Sequence, residues 1–244
     1  MPPPADHRRG ALLAEDEYEW EGEPLRTLPD LLGPGLRLLF VGYNPSVRAA
    51  RLGHYYAGRN NRFWDLLAAG GLTPRRLAFA EDALLPGLGI GITDLVKRPT
   101  RAAHDVAAAE SRAGAARVRA LVERLRPEVV AYNGKGVYLR AAGVARAPWG
   151  LQETSLVPGV ADFVLPSPSG LARIPFAEKA RRYAALGRLL RGGGGDGPPT
   201  SEDSASPRVA SCGSRGHWDP GAQSPDGDRR IHTGQRHSRN RAQT

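Results

Sequence analysis

Four short apolar runs punctuate the middle of the chain, at residues 36–41, 88–96, 128–132 and 162–165. Each has roughly the length of a strand. The runs are close to continuous rather than alternating, which is typical of strands that are covered on both faces. We therefore expect four buried strands in this part of the chain.

Helical spacing separates these runs. Apolar residues recur every three to four positions in segments 61–69, 105–125 and Phe176–Leu190, which predicts amphipathic helices. Helices that alternate with buried strands favour a parallel sheet with helices on its faces. The pattern predicts an α/β fold of three layers, α/β/α, with a central, mostly parallel four-stranded sheet.

The composition changes at both ends of this region. Residues 1–24 are rich in proline and then in acidic residues, with no sustained period, and we expect a poorly ordered N-terminal segment. Residues 192–244 are rich in Gly, Pro, Ser and Asp and have few large apolar side chains to offset their ordering entropy, which predicts a disordered tail. The folded domain is expected at residues 25–191.

Composition also limits the kind of protein that this is. No apolar run approaches the roughly 20 residues that a membrane-spanning helix needs, and the N-terminus has no apolar region of a secretory signal. The only cysteine, Cys212, excludes an intrachain disulfide and a cysteine-ligated iron–sulfur cluster. We expect an intracellular protein that does not associate with membranes.

The chain is basic, with a formal net charge of +9, and most of the excess lies outside the predicted tail. Basic folded domains often bind polyanions such as nucleic acids. A compositional explanation is equally compatible with the charge, because arginine greatly outnumbers the three lysines and is simply abundant. The charge alone does not separate these two interpretations.

The loop after the first predicted strand, Gly42-Tyr43-Asn44-Pro45-Ser46, carries candidate chemistry. Ligands of open α/β sheets bind beyond the carboxyl ends of the strands, which is where this loop is placed. The amide of Asn44 can donate and accept hydrogen bonds, so it can orient a water molecule. Taken alone, the loop is also explained as a tight turn, since Asn-Pro is a common turn signal.

Three further polar segments follow strand or loop positions in the same way: "GRNNRFW" from Gly58, "TDLVKRPT" from Thr93 and "LPSPSGLAR" from Leu165. Together with the first loop, they resemble the mismatch-specific uracil/thymine-DNA glycosylases of the uracil-DNA glycosylase superfamily. The resemblance extends from about Leu28 to Leu190 and covers the order and spacing of all four motifs. It implies the three-layer fold of that superfamily and a DNA-repair activity.

The resemblance also implies roles for individual residues. Asn44 matches the family's water-positioning asparagine, Tyr56 its base-stacking aromatic, Leu171 its wedge and Arg173 its phosphate-contacting arginine. The base pocket is expected to include Gly42, Tyr43, Tyr56 and Ser167, and the DNA contacts to include Ser169, Gly170, Leu171, Ala172 and Arg173.

This chain departs from the family at three of these positions. Tyr43 replaces a branched aliphatic residue, Ser46 replaces a glycine and Ser167 replaces an asparagine. These changes affect the expected base preference more than the reaction class.

Asp94 and His54 are the titratable candidates. Asp94 ends the second predicted strand, where a carboxylate could accept a proton from water or stabilise a sugar cation; it could equally cap the next segment or pair on the surface with Lys97 or Arg98. His54 is expected to be exposed or to contact DNA. His217, His232 and His237 of the tail have no companions at metal-ligand spacing, and we expect no metal or other cofactor.

The leading hypothesis is a monofunctional DNA glycosylase that hydrolyses the N-glycosidic bond of uracil mispaired with guanine, by base flipping and a positioned water. The same fold could act on hypoxanthine, a modified cytosine or uracil in single strands. A third hypothesis is a nucleic-acid-binding protein without catalysis. The expected partner is double-stranded DNA with a mispaired or damaged base, bound by a monomer, and the expected location is the nucleoid of a prokaryotic cytoplasm.

Overall fold

The computed structural model describes residues 12–14 and 17–192, with side chains from residue 17 onward. Eight strands occur in this part of the chain: β1 (Leu12–Ala14), β2 (Glu17–Trp20), β3 (Glu23–Arg26), β4 (Leu38–Gly42), β5 (Ile90–Asp94), β6 (Val129–Asn133), β7 (Gly150–Leu151) and β8 (Ala161–Leu165). The α-helices are α1 (Val47–Leu52), α2 (Phe63–Ala69), α3 (Ala108–Leu125), α4 (Lys135–Ala142) and α5 (Phe176–Leu190). Short 3₁₀ helices lie at Phe79–Leu84, Pro86–Leu88 and Ala103–Asp105.

The central sheet has the strand order β5-β4-β6-β8-β7. The first four of these strands are parallel, and β7 pairs antiparallel with β8 at the edge. The α/β fold and the mostly parallel sheet are therefore confirmed, but the sheet has five strands where four were predicted. The missed strand β7 contains only two residues, one of them Gly150, which is too short to produce an apolar pattern.

Two apolar clusters cover the two faces of the sheet. Phe40 points to a cluster that contains Phe63 and Leu67 of α2 and Leu186 of α5. Its neighbour Leu39 points to the opposite cluster, with Val118 of α3 and Tyr138 of α4. Because successive side chains of a strand alternate between faces, a run such as β4 must be apolar throughout, which explains the continuous pattern of the sequence.

The N-terminal segment differs from the expectation of poor order. The described part of residues 1–24 contributes to a three-stranded antiparallel sheet with the order β1-β2-β3. A tight turn at Glu21 and Gly22, both with positive φ, joins β2 to β3, and Trp20 is buried beside it. The expectation rested on the proline and acidic residues of this segment and gave no weight to the alternation of Tyr18 and Trp20 with glutamates, which is typical of a hairpin strand. Residues 193–244 of the predicted tail lie outside the described residues.

Candidate active site at the carboxyl edge of the sheet

A cavity of about 570 Å³ lies where the parallel strands end. Gly42 of β4, Asp94 of β5, Asn133 of β6 and Ser167 after β8 all line it. This convergence places residues from four distant parts of the chain around one space, as expected for a ligand site of an open α/β sheet. The cavity is lined by all but one of the predicted site residues: Gly42, Tyr43, Asn44, Tyr56, Asp94, Ser167, Ser169, Gly170, Leu171 and Ala172. The exception is Arg173.

Asn44 is held through its amide nitrogen. Nδ2 lies 3.1 Å from the carbonyl oxygens of Pro45 and Arg98 and 2.8 Å from Thr100 Oγ1, so its two N–H groups are shared among three acceptors. Thr100 gives its own hydroxyl proton to the Ala102 carbonyl, so it can only accept from Asn44. Because the partners are acceptors, the orientation of the amide is determined by its surroundings. No described residue donates to Oδ1, which is left as a hydrogen-bond acceptor in the cavity.

The turn after Asn44 also has a structural role. Ser46 is the N-cap residue of α1, and its Oγ accepts a hydrogen bond from the backbone nitrogen of Ala49 at 3.1 Å. Serine is a favoured N-cap residue because its oxygen satisfies an unpaired helical N–H. Ser46 therefore stabilises the start of α1.

Asp94 lies opposite Gly42 in the parallel register of β4 and β5 and is only 4% exposed. A Cβ atom added to Gly42 would lie 2.1 Å from Asp94 Oδ1, so the carboxylate occupies the space that any other residue at position 42 would fill. No described residue donates a hydrogen bond to this carboxylate. Burial raises the pKa of Asp94 to about 7, with the cations Lys97 and Arg117 acting against the shift and the anion Asp30 adding to it.

The alternative surface pairing of Asp94 is not observed. Lys97 Nζ pairs with Asp30 at 2.8 Å, and Arg98 pairs with Glu110 at 2.7 Å. Arg117 bridges the same region, since it pairs with Asp30 at 2.9 Å and also donates to the backbone carbonyl of Asp94. The cations near Asp94 are thus committed to other partners, and its carboxylate faces the cavity.

Tyr56 is fixed on the wall of the cavity. Its ring stacks on Phe63, with 3.9 Å between centroids and 24° between planes. Its hydroxyl accepts a hydrogen bond from Asn133 Nδ2 at 2.7 Å, and Asn133 Oδ1 accepts one from the buried Tyr183 hydroxyl at 2.8 Å. The backbone of Tyr56 has a φ of +52°, which is uncommon for a residue other than glycine. A stacked and hydrogen-bonded ring in such a backbone is preorganised for contact with a planar ligand.

Asn133 lines the cavity but was not among the predicted site residues. The residue is 5% exposed and joins β6 to the cavity through Tyr56. One signal was available. Asn133, like Asn44, is an asparagine close to a glycine at the end of a buried strand. Its hydrogen-bond partners are distant in sequence, so their identity could not be read from that pattern.

Tyr43 lines the cavity but directs its hydroxyl elsewhere. Its Oη lies 3.2 Å from Ser111 Oγ on α3, and the Arg140 guanidinium carbon lies 5.2 Å from its ring centroid. The ring packs against the apolar cluster beneath α3 and α4. The Tyr43 side chain is therefore accommodated by contacts with α3 and α4.

The segment 167–173, which we call the wedge loop, forms another wall. The Pro168 carbonyl accepts from the backbone nitrogen of Arg62 at 2.9 Å, and the Ser169 carbonyl accepts from Lys179 Nζ at 3.1 Å. Leu171, which follows these anchors by two and three residues, is 88% exposed. Such exposure of an apolar side chain on an anchored loop is a feature of wedge residues that enter a nucleic-acid duplex. Arg173 is exposed and has no ion-pair partner among the described residues.

The other titratable candidate, His54, is engaged by a neighbouring carboxylate. His54 is one-third exposed and its Nδ1 lies 3.0 Å from Asp82 Oδ1, while Asp82 Oδ2 accepts from the backbone nitrogen of Tyr55 at 2.9 Å. His54 does not line the cavity.

Within residues 17–192, no three His, Cys, Asp or Glu side chains are grouped to hold a metal ion. No helix in the described part of the chain is long and apolar enough to cross a membrane.

The fold is that of an open α/β protein, and its cavity lies at the carboxyl edge of the parallel strands, where such folds commonly place a ligand site. Comparison with protein families makes this specific. The model of the uracil DNA glycosylase superfamily matches residues 29–190, and the chain belongs to this family of DNA glycosylases. A solution NMR structure from Methanosarcina acetivorans, described as a candidate uracil DNA glycosylase, is 20% identical over 68% of this chain and 98% of its own, with a TM-score of 0.44.

Proposed function

We propose that the protein is a monofunctional DNA glycosylase that hydrolyses the N-glycosidic bond of uracil mispaired with guanine in double-stranded DNA. The observation that carries this proposal is the pairing of two groups in one cavity: an Asn44 amide whose nitrogen is locked by acceptors, and a buried Asp94 carboxylate that accepts no hydrogen bond from the described residues. Together they suit the task of holding a water molecule and taking its proton.

The proposed reaction begins with extrusion of the nucleotide. Leu171 fills the gap in the duplex, and the base enters the cavity beside the Tyr56 ring. Unpairing costs less for a mismatched base than for a paired one, which favours uracil opposite guanine over uracil opposite adenine. The exposed Leu171 and the fixed Tyr56 support this step.

Hydrolysis then needs one water molecule. Asn44 Oδ1 accepts a hydrogen bond from the water, and Asp94 takes its proton as the water oxygen bonds to C1′ of the sugar. The bond between C1′ and the base breaks, and the base leaves with the electron pair as an anion. The products are free uracil, once protonated, and an abasic site in the DNA. Asp94 must be ionised to act, and its raised pKa places that ionisation near neutral pH.

A second candidate keeps the reaction but widens the range of bases to hypoxanthine or a modified cytosine. The Ser167 hydroxyl accepts a hydrogen bond from the Ser169 backbone nitrogen at 3.3 Å, so it serves the loop as well as the cavity. A serine that is shorter than the family's asparagine and engaged locally provides weaker discrimination at the edge of the base. This observation favours a broader specificity.

One assay tests both candidates. Purified protein is incubated with labelled duplexes that each contain one altered base, and abasic sites are cleaved with alkali. Cleavage of the duplex with uracil opposite guanine is the expected result, and the pattern over the other bases measures the specificity. Gel-shifted duplexes without cleavage of any base would favour a non-catalytic binding protein.

Replacement of Asn44 by alanine tests the water site. We expect Asn44→Ala to nearly abolish base release while duplex affinity stays largely intact, because the amide touches water rather than DNA phosphate. The matched control is Gln152→Ala, which also removes an amide nitrogen donating to two backbone carbonyls, but directly after β7 rather than in the cavity. Single-turnover rates and melting temperatures are measured for both. A parental rate for Asn44→Ala would show that the water is held elsewhere.

A further inference from the structure

A second cavity adjoins the first, and its charge is one-sided. This basic groove has a volume of about 420 Å³ and is lined by four cationic side chains and one carboxylate. The cations are Arg59, Arg62, Arg76 and Lys179, and the carboxylate is Asp65. None of the residues that take part in the proposed hydrolysis lines this groove.

A thin ridge separates the basic groove from the first cavity, at the carboxyl edge of the sheet, which we call the base cavity. Asn60, Gly170 and Ala172 line both spaces. The two loops touch at this ridge, because a Cβ atom on Gly170 would lie 2.7 Å from Asn60 Cβ and 2.8 Å from the Asn60 carbonyl oxygen. A DNA strand that passes Leu171, which lines the base cavity, therefore reaches the groove within a short distance.

The single carboxylate does not neutralise the groove. Arg62 and Arg76 share Asp65, at 3.1 and 2.5 Å. Arg59 is exposed and pairs with no acidic side chain in the described part of the chain. Lys179 is 3% exposed and donates to the Ser169 carbonyl; burial lowers its pKa, and the neighbouring Arg62 adds to that shift. Arg59 and Arg76 are both exposed, and the contact of Arg76 with the shared Asp65 is made through Nε, which leaves its terminal guanidinium nitrogens able to bind an anion.

The surface near the N-terminal sheet has no such excess of positive charge. Arg101, which lines the base cavity, lies 5.2 Å from the centroid of the Trp20 ring and pairs with Glu21. Arg51 pairs with Glu23 at 2.8 Å. Near the N-terminal sheet, each of these arginines thus has its own carboxylate, whereas in the basic groove cations outnumber carboxylates. Phosphates are attracted to the groove in preference to this rim.

We propose that the basic groove binds the phosphodiester backbone of double-stranded DNA on one side of the extruded nucleotide, through Arg59 and Arg76. Guanidinium groups suit this role because their planar forks bind phosphate oxygens in pairs. The inference rests on the proposed function, since it concerns the same DNA. It also predicts the orientation of the bound DNA, because only the duplex on one side of the extruded nucleotide reaches the groove.

Salt dependence tests the contact. The double variant Arg59→Gln/Arg76→Gln is compared with Arg124→Gln/Arg188→Gln, whose arginines are exposed in the last turns of α3 and α5, at the other edge of the sheet. The logarithm of the affinity for a duplex with uracil opposite guanine is measured against the logarithm of the salt concentration. We expect the slope of the groove variant to fall by about 0.9 for each lost phosphate contact. The slope of the control should match the parent.

Duplexes with the lesion near one end identify the flank. Removing the flank that reaches the groove should abolish the difference between parent and groove variant, and removing the other flank should preserve it. Competition by inorganic phosphate at constant ionic strength should be weak, which distinguishes a DNA backbone from a free anion as the occupant. The single-turnover rate at saturating enzyme should stay within about twofold of the parent, since neither arginine lines the base cavity.

A groove variant with a parental salt slope and a parental melting temperature overturns this inference, and so does equal sensitivity to the two flanks. Tight binding of inorganic phosphate would make the groove a site for a small anion instead. These results are separate from the proposed function. A parent that binds with the expected slope but releases no base would overturn the activity and leave the groove contact standing.

Discussion

At the scale of single residues, the candidate site depends on the contact between Gly42 and Asp94. The carboxylate is buried against a glycine and lacks hydrogen-bond donors among the described residues, so its charged form is poorly solvated. This raises its pKa to about 7, whereas an aspartate in water ionises near 3.8. A group with such a pKa is well suited to accept a proton at neutral pH.

The role of Asp94 predicts a pH profile. Only the ionised form accepts a proton, so the single-turnover rate of the parent should rise with pH through about 7 and level off above it. Asp94→Asn should slow cleavage by about 10²-fold or more and lose this dependence, because positioned bases contribute on that scale. DNA affinity should not fall, since a negative charge is removed. An unchanged rate with an unchanged profile would exclude Asp94 from the reaction and leave Asn44 as the sole water-positioning group.

Gly42 offers a second test at this scale. In Gly42→Ala, the new methyl group would lie 2.1 Å from Asp94 Oδ1 and 3.1 Å from the Tyr56 hydroxyl, so both side chains must move. A displacement of about 1 Å can cost about 10²-fold in rate, and we expect a loss of that order. Gly58→Ala is the control, because its Cβ would make an ordinary contact at 3.6 Å on the same cavity. Equal single-turnover rates for the two variants would contradict this account.

At the scale of elements, α3 is pressed against the end of β5. A Cβ atom on Gly114 of α3 would lie 1.9 Å from the carbonyl oxygen of Leu95, the residue after Asp94. The same helix carries Arg117, which donates to the Asp94 carbonyl. The position of α3 on the sheet and the position of Asp94, the candidate general base, are therefore connected through contacts of α3 with the backbone at residues 94 and 95.

Gly114→Ala should separate the helix from the sheet. The clash is with backbone atoms, which cannot rotate away, so we expect destabilisation of about 1–3 kcal/mol, as for overpacked cores. The control Gly136→Ala lies in α4, where the new methyl group meets only the end of Arg140 at 3.4 Å. That substitution should be neutral or should stabilise by up to about 1 kcal/mol through helix propensity. Denaturant unfolding of both variants gives the comparison, and a neutral Gly114→Ala would show that α3 is free to shift.

At the scale of the whole molecule, the described residues contain both cavities and both apolar clusters. The matched family region, residues 29–190, lies within them. The predicted tail, residues 192–244, has seven arginines against six acidic residues and few large apolar side chains. Such a composition supplies neither a core nor a strong attraction for phosphate.

Deletion of residues 192–244 should leave cleavage of the duplex with uracil opposite guanine little changed. Single-turnover rate, duplex affinity and melting temperature are compared between the full chain and the truncated protein. Insolubility or loss of activity of the truncated protein would mean that the tail belongs to the fold or to the site. A loss of affinity with a parental rate would instead assign the tail to DNA binding.

Local patterns in the sequence determined the layers and the position of the candidate chemistry. Continuous apolar runs identified the four parallel strands, and the helix Phe176–Leu190 was predicted with its observed bounds. The polar loops at 42–46 and 165–173 were recognisable because each follows such a run. These features depend on neighbours within a few positions, which is the range over which hydrophobic periodicity acts.

Only the tertiary structure decided how the side chains of the site are held. The hydrogen bonds from Asn133 to Tyr56 and from Tyr183 to Asn133 join residues 77 and 50 positions apart. Burial raises the pKa of Asp94, whose carboxylate packs against Gly42 on the neighbouring strand. The direction of the Tyr43 hydroxyl likewise depends on α3. No local pattern contains this information, because solvent exclusion and hydrogen bonding are set by whichever groups the fold brings into contact.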